Sequence, residues 1–252
     1  MFDFLPQAKS DELSNAPLVA VVAQIKFSNQ SSLATHRGAS TFQDSLIDHY
    51  PRLLAESQST ITAAPGNVSS SAIPQWRLTD FDNIWSCVIG PEQVTVETKA
   101  YKNWPSMRER LEEALAALGS VAAPKIRERI GLRYVNHIPA NPDGSYTGLV
   151  NPRLLGLSEV PGWKDTLAVV MSQLVLSDGG TQMALRYGRG TGIIGLPEAA
   201  WVLDIDCSDE SPAKFDTTEL LNYFDELNDA ALRCFYESLG AALKMSLNGE
   251  GP

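Results

Sequence analysis

The sequence predicts an α+β protein, with antiparallel sheet or sheets carrying helices on one face. Three observations predict it. Several short segments alternate apolar and polar residues and are separated by turn chemistry, the mark of antiparallel strands. Two segments, beginning at Pro105 and Asp216, carry apolar residues at helical spacing. The order of elements then recurs: each half reads strand, helix, several antiparallel strands, helix. That order suggests a duplicated βαβββα unit ending in a long C-terminal helix at about 216–244. A single continuous sheet without internal symmetry is the alternative. The corresponding division is a flexible N-terminal arm over 1–16, an N-terminal α+β half over 17–123 and a C-terminal α+β half over 124–247.

The first half begins with Leu18 to Phe27, where Val19, Val21, Ala23, Ile25 and Phe27 share one face of a strand. Thr41 to Leu54 carries apolar residues at loosely helical spacing and meets Pro51, which ends or kinks a helix. A short strand is expected at Ser59 to Ala63. Three more follow at Gln75–Thr79, Ile84–Ile89 and Gln93–Tyr101, joined by turns at Asp80-Phe81-Asp82-Asn83 and Gly90-Pro91-Glu92. Pro105 opens a helix, where its missing N–H costs nothing. Met107, Leu111, Leu115 and Leu118 form that helix's stripe, and Gly119 is placed to cap it.

The second half begins with Arg127 to Ile138. A short helix is expected at Asn151 to Leu157. Thr166–Leu176 and Thr181–Arg189 pair through Ser177-Asp178-Gly179-Gly180, a hairpin signal. Trp201–Cys207 is a further strand. Asp216-Thr217-Thr218-Glu219 is a capping box ahead of the last helix, whose stripe is Leu220, Phe224, Leu227, Ala231, Phe235, Leu239 and Ala242.

The segment Arg127 to Ile138 divides by parity. Ile130, Leu132, Tyr134, Asn136 and Ile138 form one face; Arg127, Arg129, Gly131, Arg133, Val135 and His137 form the other. Three arginines are thereby expected in a row. The run Arg129-Ile130-Gly131-Leu132-Arg133-Tyr134-Val135-Asn136-His137-Ile138 resembles the signature of a sporadically distributed bacterial family of uncharacterised proteins. The run Pro17 to Phe27 resembles that family's N-terminal signature, although Ala20 or Ala23 stands where its members usually carry an acidic residue. The resemblance implies no activity and no catalytic residues. The family's patchy occurrence implies accessory genes, such as toxin–antitoxin or defence loci.

Composition narrows the function classes. The chain has 252 residues, 44% hydrophobic and 20% charged, enough apolar material for a sizeable core. Cys87, Cys207 and Cys234 are odd in number and dispersed, which argues against a disulfide framework and for core positions. The first residues lack a basic and a long apolar region, so no signal peptide is read and the cytoplasm is the expected compartment. The formal charge is −10, about −3 of it through residue 125 and −7 beyond. Nucleic-acid binding needs a basic footprint, so the acidic balance argues against it and favours a protein partner of basic character.

Two constellations stand out. Arg127, Arg129, Arg133, His137 and Arg186 are candidates for an anion or acidic-partner site, since guanidinium forks match carboxylates and phosphates. Their bland reading is neutralisation on the sheet by Asp204 and Asp206. From Glu198 to Asp229 there are ten acidic residues and one basic. Glu219, Asp225, Glu226 and Asp229 are therefore candidates for docking a basic protein; the bland reading is a solvated helix face. The run Tyr187-Gly188-Arg189-Gly190-Thr191-Gly192 matches neither the P-loop nor the dinucleotide fingerprint. No catalytic motif, metal site or cofactor is read from the sequence.

Two function classes follow. The leading one is a non-catalytic protein-interaction factor, antitoxin-, immunity- or defence-associated. The alternative is a small-molecule or nucleotide binder, or an enzyme, whose long helix closes an apolar cleft lined by Tyr134, Trp201 and Phe235 with arginines for an anion. Assembly of copies through an exposed strand edge is a further option.

Overall fold

The computed structural model describes residues 1–7, 16–64, 67–190 and 200–247, with the backbone alone for 58–64 and 67–71. Among the described residues, one antiparallel sheet of ten strands carries helices on one face. The strands are β1 (Leu18–Phe27), β2 (Arg52–Ala64), β3 (Asn67–Thr79), β4 (Trp85–Gly90), β5 (Gln93–Thr98), β6 (Ile126–Pro139), β7 (Val169–Asp178), β8 (Thr181–Gly190), β9 (Ala200–Asp209) and the two-residue β10 (Ala213–Lys214). The helices are α1 (His36–Asp44), α2 (Trp104–Val121), α3 (Pro152–Leu155), α4 (Thr217–Ser238) and α5 (Ala241–Leu247).

The strand order is β2-β3-β4-β5-β1-β6-β9-β8-β7, with β10 beside β6. The two halves meet along the antiparallel pair β1 and β6. Outward from that seam run β5, β4 and β3 on one side and β9, β8 and β7 on the other. The second half thus follows the expected βαβββα order, with β10 as an addition. The first half has one strand more, because β2 and β3 form a hairpin of two thirteen-residue strands. The sheet is continuous, so the two orders share one core.

Alternation dictates what this sheet buries. Val21, Ala23 and Ile25 of β1 face Tyr134, Leu132 and Ile130 of β6 in register. On β9, Ile205 and Cys207 continue the same face opposite Tyr134 and Leu132. α2 and α4 cover it. Met107, Leu111, Leu115 and Leu118 are all buried, as are Leu220, Phe224, Leu227, Ala231 and Phe235. Each such Leu, Phe or Met contributes roughly 1.5–3 kcal/mol relative to exposure. No helix among the described residues is long and apolar enough to cross a membrane.

The caps follow local chemistry. Asn103 accepts from the Ser106 N–H ahead of Pro105 in α2, and Asp216 accepts from Thr218 and Glu219 N–H groups ahead of α4. α2 runs past Gly119 to Val121, and Pro124 follows the extended Ala122.

Three expectations change. The helix expected from Thr41 to Leu54 is α1, which stops at Asp44; the chain reverses through a turn and Arg52 already begins β2. The arm 1–16 is docked at its start: Phe2 is 1% exposed and Arg233 donates to the carbonyls of Met1, Phe2 and Leu5. Residues 8–15 of that arm lie outside the described residues. The long helix expected at about 216–244 is broken. Leu239 leaves α4 to form a β-bridge with Val150, and Gly240 lies against the Gly148 backbone, where a Cβ would collide. The break turns Ala242 outward, away from the stripe it would have extended.

Candidate functional site

The uncovered face of the sheet holds most of the arginine candidates, and they are neutralised. Arg133 donates to Asp204 from Nε at 2.7 Å and from a terminal nitrogen at 2.8 Å. Arg186 reaches the same carboxylate at 3.3 Å. Arg129 lies 3.6 Å from both Asp206 and Glu210 and donates to Gln24 at 3.2 Å. His137, beside them, is half-buried, and burial lowers its pKa. On the same face, near β4 and β5, a second depression is lined by Arg77, which pairs with Glu56 and Glu97.

Arg127 is not in that row. Lys26 pairs with Arg129 but Phe27 pairs with Arg127, so β6 carries an extra residue there. This β-bulge reverses the parity. Arg127 therefore points under α4, where its guanidinium lies 5.3 Å from the Tyr223 ring and 2.9 Å from Asp209, both charged groups being buried. Burial raises the Asp209 carboxyl, but hydrogen bonds from Ser211 and Arg127 outweigh it and hold the group below its ordinary range.

The acidic stretch is also partly consumed by structure. Asp225 accepts from Trp104 Nε1 at 2.7 Å and from Arg108 at 3.2 Å, which ties α4 to α2. Asp229 pairs with Arg233 at 2.8 Å one turn on. Glu219 and Glu226 are exposed on α4. Residues 191–199, with Glu198 and the last two residues of the glycine-rich run, lie outside the described residues.

A cleft opens where α4 crosses the start of β1 and the end of β6. Its volume is about 420 Å³, within the range of small-molecule sites. Leu18, Tyr134 and Asn136 form its floor on the sheet; Asn228, Ala231, Leu232 and Phe235 form the α4 wall. Tyr101 and Lys102, between β5 and α2, and Trp104, the first residue of α2, form the opposite rim. Four aromatic rings therefore surround one space. The Tyr101 and Tyr134 rings meet edge to face with centroids 5.7 Å apart.

The cleft's polar groups are oriented by the surrounding structure. Tyr134 donates its hydroxyl proton to Asn228 Oδ1 at 2.6 Å. The Asn228 oxygen is thereby occupied and its N–H₂ is the end left to donate. Burial pushes the Tyr134 phenol well above its ordinary value, so it is a neutral donor at physiological pH. Asn136 is 2% exposed and donates Nδ2 to the Leu203 carbonyl at 3.2 Å. That bond leaves its Oδ1 as an acceptor.

Of the three aromatic residues expected to line a cleft, Tyr134 and Phe235 do. Trp201 does not: it is fully buried against Tyr146 and Tyr187, with ring centroids 5.4 and 6.3 Å away. The arginines lie on the other face of the sheet or under α4, not in the cleft. Tyr101, Lys102, Trp104 and Asn228 are additions that sequence reasoning missed. One signal was present: Asn228 falls on the apolar stripe between Phe224 and Ala231, as Asn136 falls among the core-facing residues of β6. Compared with known proteins, the chain matches no family model and no curated sequence.

Proposed function

We propose that the protein binds a small organic molecule in the cleft between the β1–β6 seam and α4. The supporting observation is the convergence of four aromatic side chains and two oriented carboxamides around about 420 Å³ of space. Aromatic walls supply contact area, and a few fixed polar groups supply orientation. A thermal-shift screen against a chemically broad metabolite library tests this. Ligands of the cleft raise the midpoint of the wild type but not that of Ala231→Trp, which fills the space. A library that stabilises both proteins equally, or neither, overturns the reading.

A second reading, a protein partner, is favoured by β7. Among the described residues no strand pairs with its outer edge, and its first nine residues are uncharged. Val169, Met171, Leu174 and Val175 are each 45–52% exposed. Natural edge strands are usually blunted by charge or bulges. In this reading the chain is an accessory factor of the cytoplasm, antitoxin-, immunity- or defence-associated. Membership of the resembled bacterial family, proposed on the β6 motif, is in keeping with that role. The partner is a second copy or another protein pairing along β7. Sizing-column analysis with Val175→Lys tests it: a complex that survives the lysine removes β7 from the interface.

A further inference from the structure

The cleft's groups specify more than an apolar guest. We infer that its ligand is a flat nitrogen heterocycle carrying a lactam edge and an anionic substituent; this rests on the cleft reading above. A lactam presents a carbonyl acceptor beside an N–H donor. The cleft presents the complementary pair, Asn228 N–H₂ as donor and Asn136 Oδ1 as acceptor, each fixed by a hydrogen bond made at the other end of the same amide. Asn136 cannot exchange roles without breaking its bond, because the Leu203 carbonyl only accepts. Asn136 is buried, so its acceptor has a stake in being satisfied by whatever fills the cleft.

The aromatic content specifies the body of the ligand. Tyr101, Tyr134, Trp104 and Phe235 offer ring faces and edges, which favour a flat π-system over a flexible chain. The indole of Trp104 is held by its bond to Asp225, so its ring position is set before a ligand arrives. Lys102 supplies the charge. It lies at the rim, is exposed, and makes no ion pair among the described residues. It is placed to meet a carboxylate or phosphate left at the mouth when the ring is inside.

The test uses calorimetry and Trp fluorescence on the full chain with named probes. Uridine 5′-monophosphate, inosine 5′-monophosphate and uracil-6-carboxylate carry ring, lactam and anion. Uridine lacks the anion, phenyl phosphate lacks the lactam, and dodecanoate lacks the ring. At least one of the first three binds, and its controls bind about tenfold more weakly or not at all, as expected for one lost polar contact. Lys102→Ala, an exposed change that leaves the fold intact, lowers the anionic probe to the level of its neutral counterpart. Asn228→Leu, which removes the donor without adding charge, weakens the lactam probes but not phenyl phosphate. Equal binding of dodecanoate or phenyl phosphate overturns the ligand class while leaving the cleft in place. Silence of all three lactam anions also overturns it. The library screen above then decides separately whether the cleft binds anything.

Discussion

Arg133 holds Asp204 by two parallel hydrogen bonds while Arg186 reaches the same carboxylate from the neighbouring strand. The three charges tie β6, β8 and β9 together on the uncovered face. Asp204 is nearly buried, with 7% of its side chain exposed, whereas Arg133 retains 46%. The carboxylate is therefore the member that cannot be left alone. Removing one arginine leaves it a partner, and Arg133→Ala or Arg186→Ala each costs about 1 kcal/mol. Removing both strands a buried charge and costs about 3–5 kcal/mol. A double-mutant cycle in urea checks this, since the expected result is strong non-additivity.

Arg127 and Asp209 are buried on both sides of their bridge. Arg127→Ala is expected to cost about 3–5 kcal/mol, while Arg127→Met with Asp209→Leu recovers most of the loss. The pH dependence has a definite sign. Because the folded carboxyl is held below its ordinary value of about 3.9, its stabilisation is present above that pH. It fades as pH falls through the depressed folded value. Acid unfolding of Asp209→Asn is expected to lose that component of its pH slope, read from midpoints between about pH 5 and pH 2.

Gly240 and Gly188 have no room for a side chain. A Cβ at Gly240 meets the Gly148 backbone, and one at Gly188 meets the Val170 carbonyl on the paired strand β7. Gly188 also has a φ of 148°, which other residues rarely adopt. Alanine at either site is expected to lower stability by about 1–3 kcal/mol, as overpacking does. Circular dichroism melts measure it, with Gly119→Ala as the control, since nothing lies near Gly119.

The three thiols are expected to be inert. Cys87, Cys207 and Cys234 are buried, and burial raises each, Cys234 to about 11. The thiolate is the reactive form. An Ellman titration at pH 8 should show less than one fast equivalent in the native protein and three after denaturation.

Strand faces were legible in the sequence because alternation is local. The core face of β6, from Ile130 to Ile138, and the stripes of α2 and α4 follow from spacing alone. Arg127 was misplaced because a bulge is an event between two strands, and β6 carries no mark of it in its own residues. The break after Ser238 was hidden for a similar reason: it arises from contact with Gly148 and Val150, about ninety residues earlier in the chain. The cleft was half legible. Tyr134 and Phe235 were named, but Trp201 shares their face and is sealed by Tyr146 and Tyr187, which only the packing decides.

The seam between β1 and β6 has a consequence for synthesis. Among the described residues β1 leaves the ribosome before β6, with 98 residues between the end of one and the start of the other. Until β6 emerges, the nascent first half carries β1 as a naked hydrogen-bonding edge. Its permanent neighbour is also the strand that seats the second half. The same pairing that completes the sheet thus ends the period in which the growing chain is most open to pairing with another nascent copy.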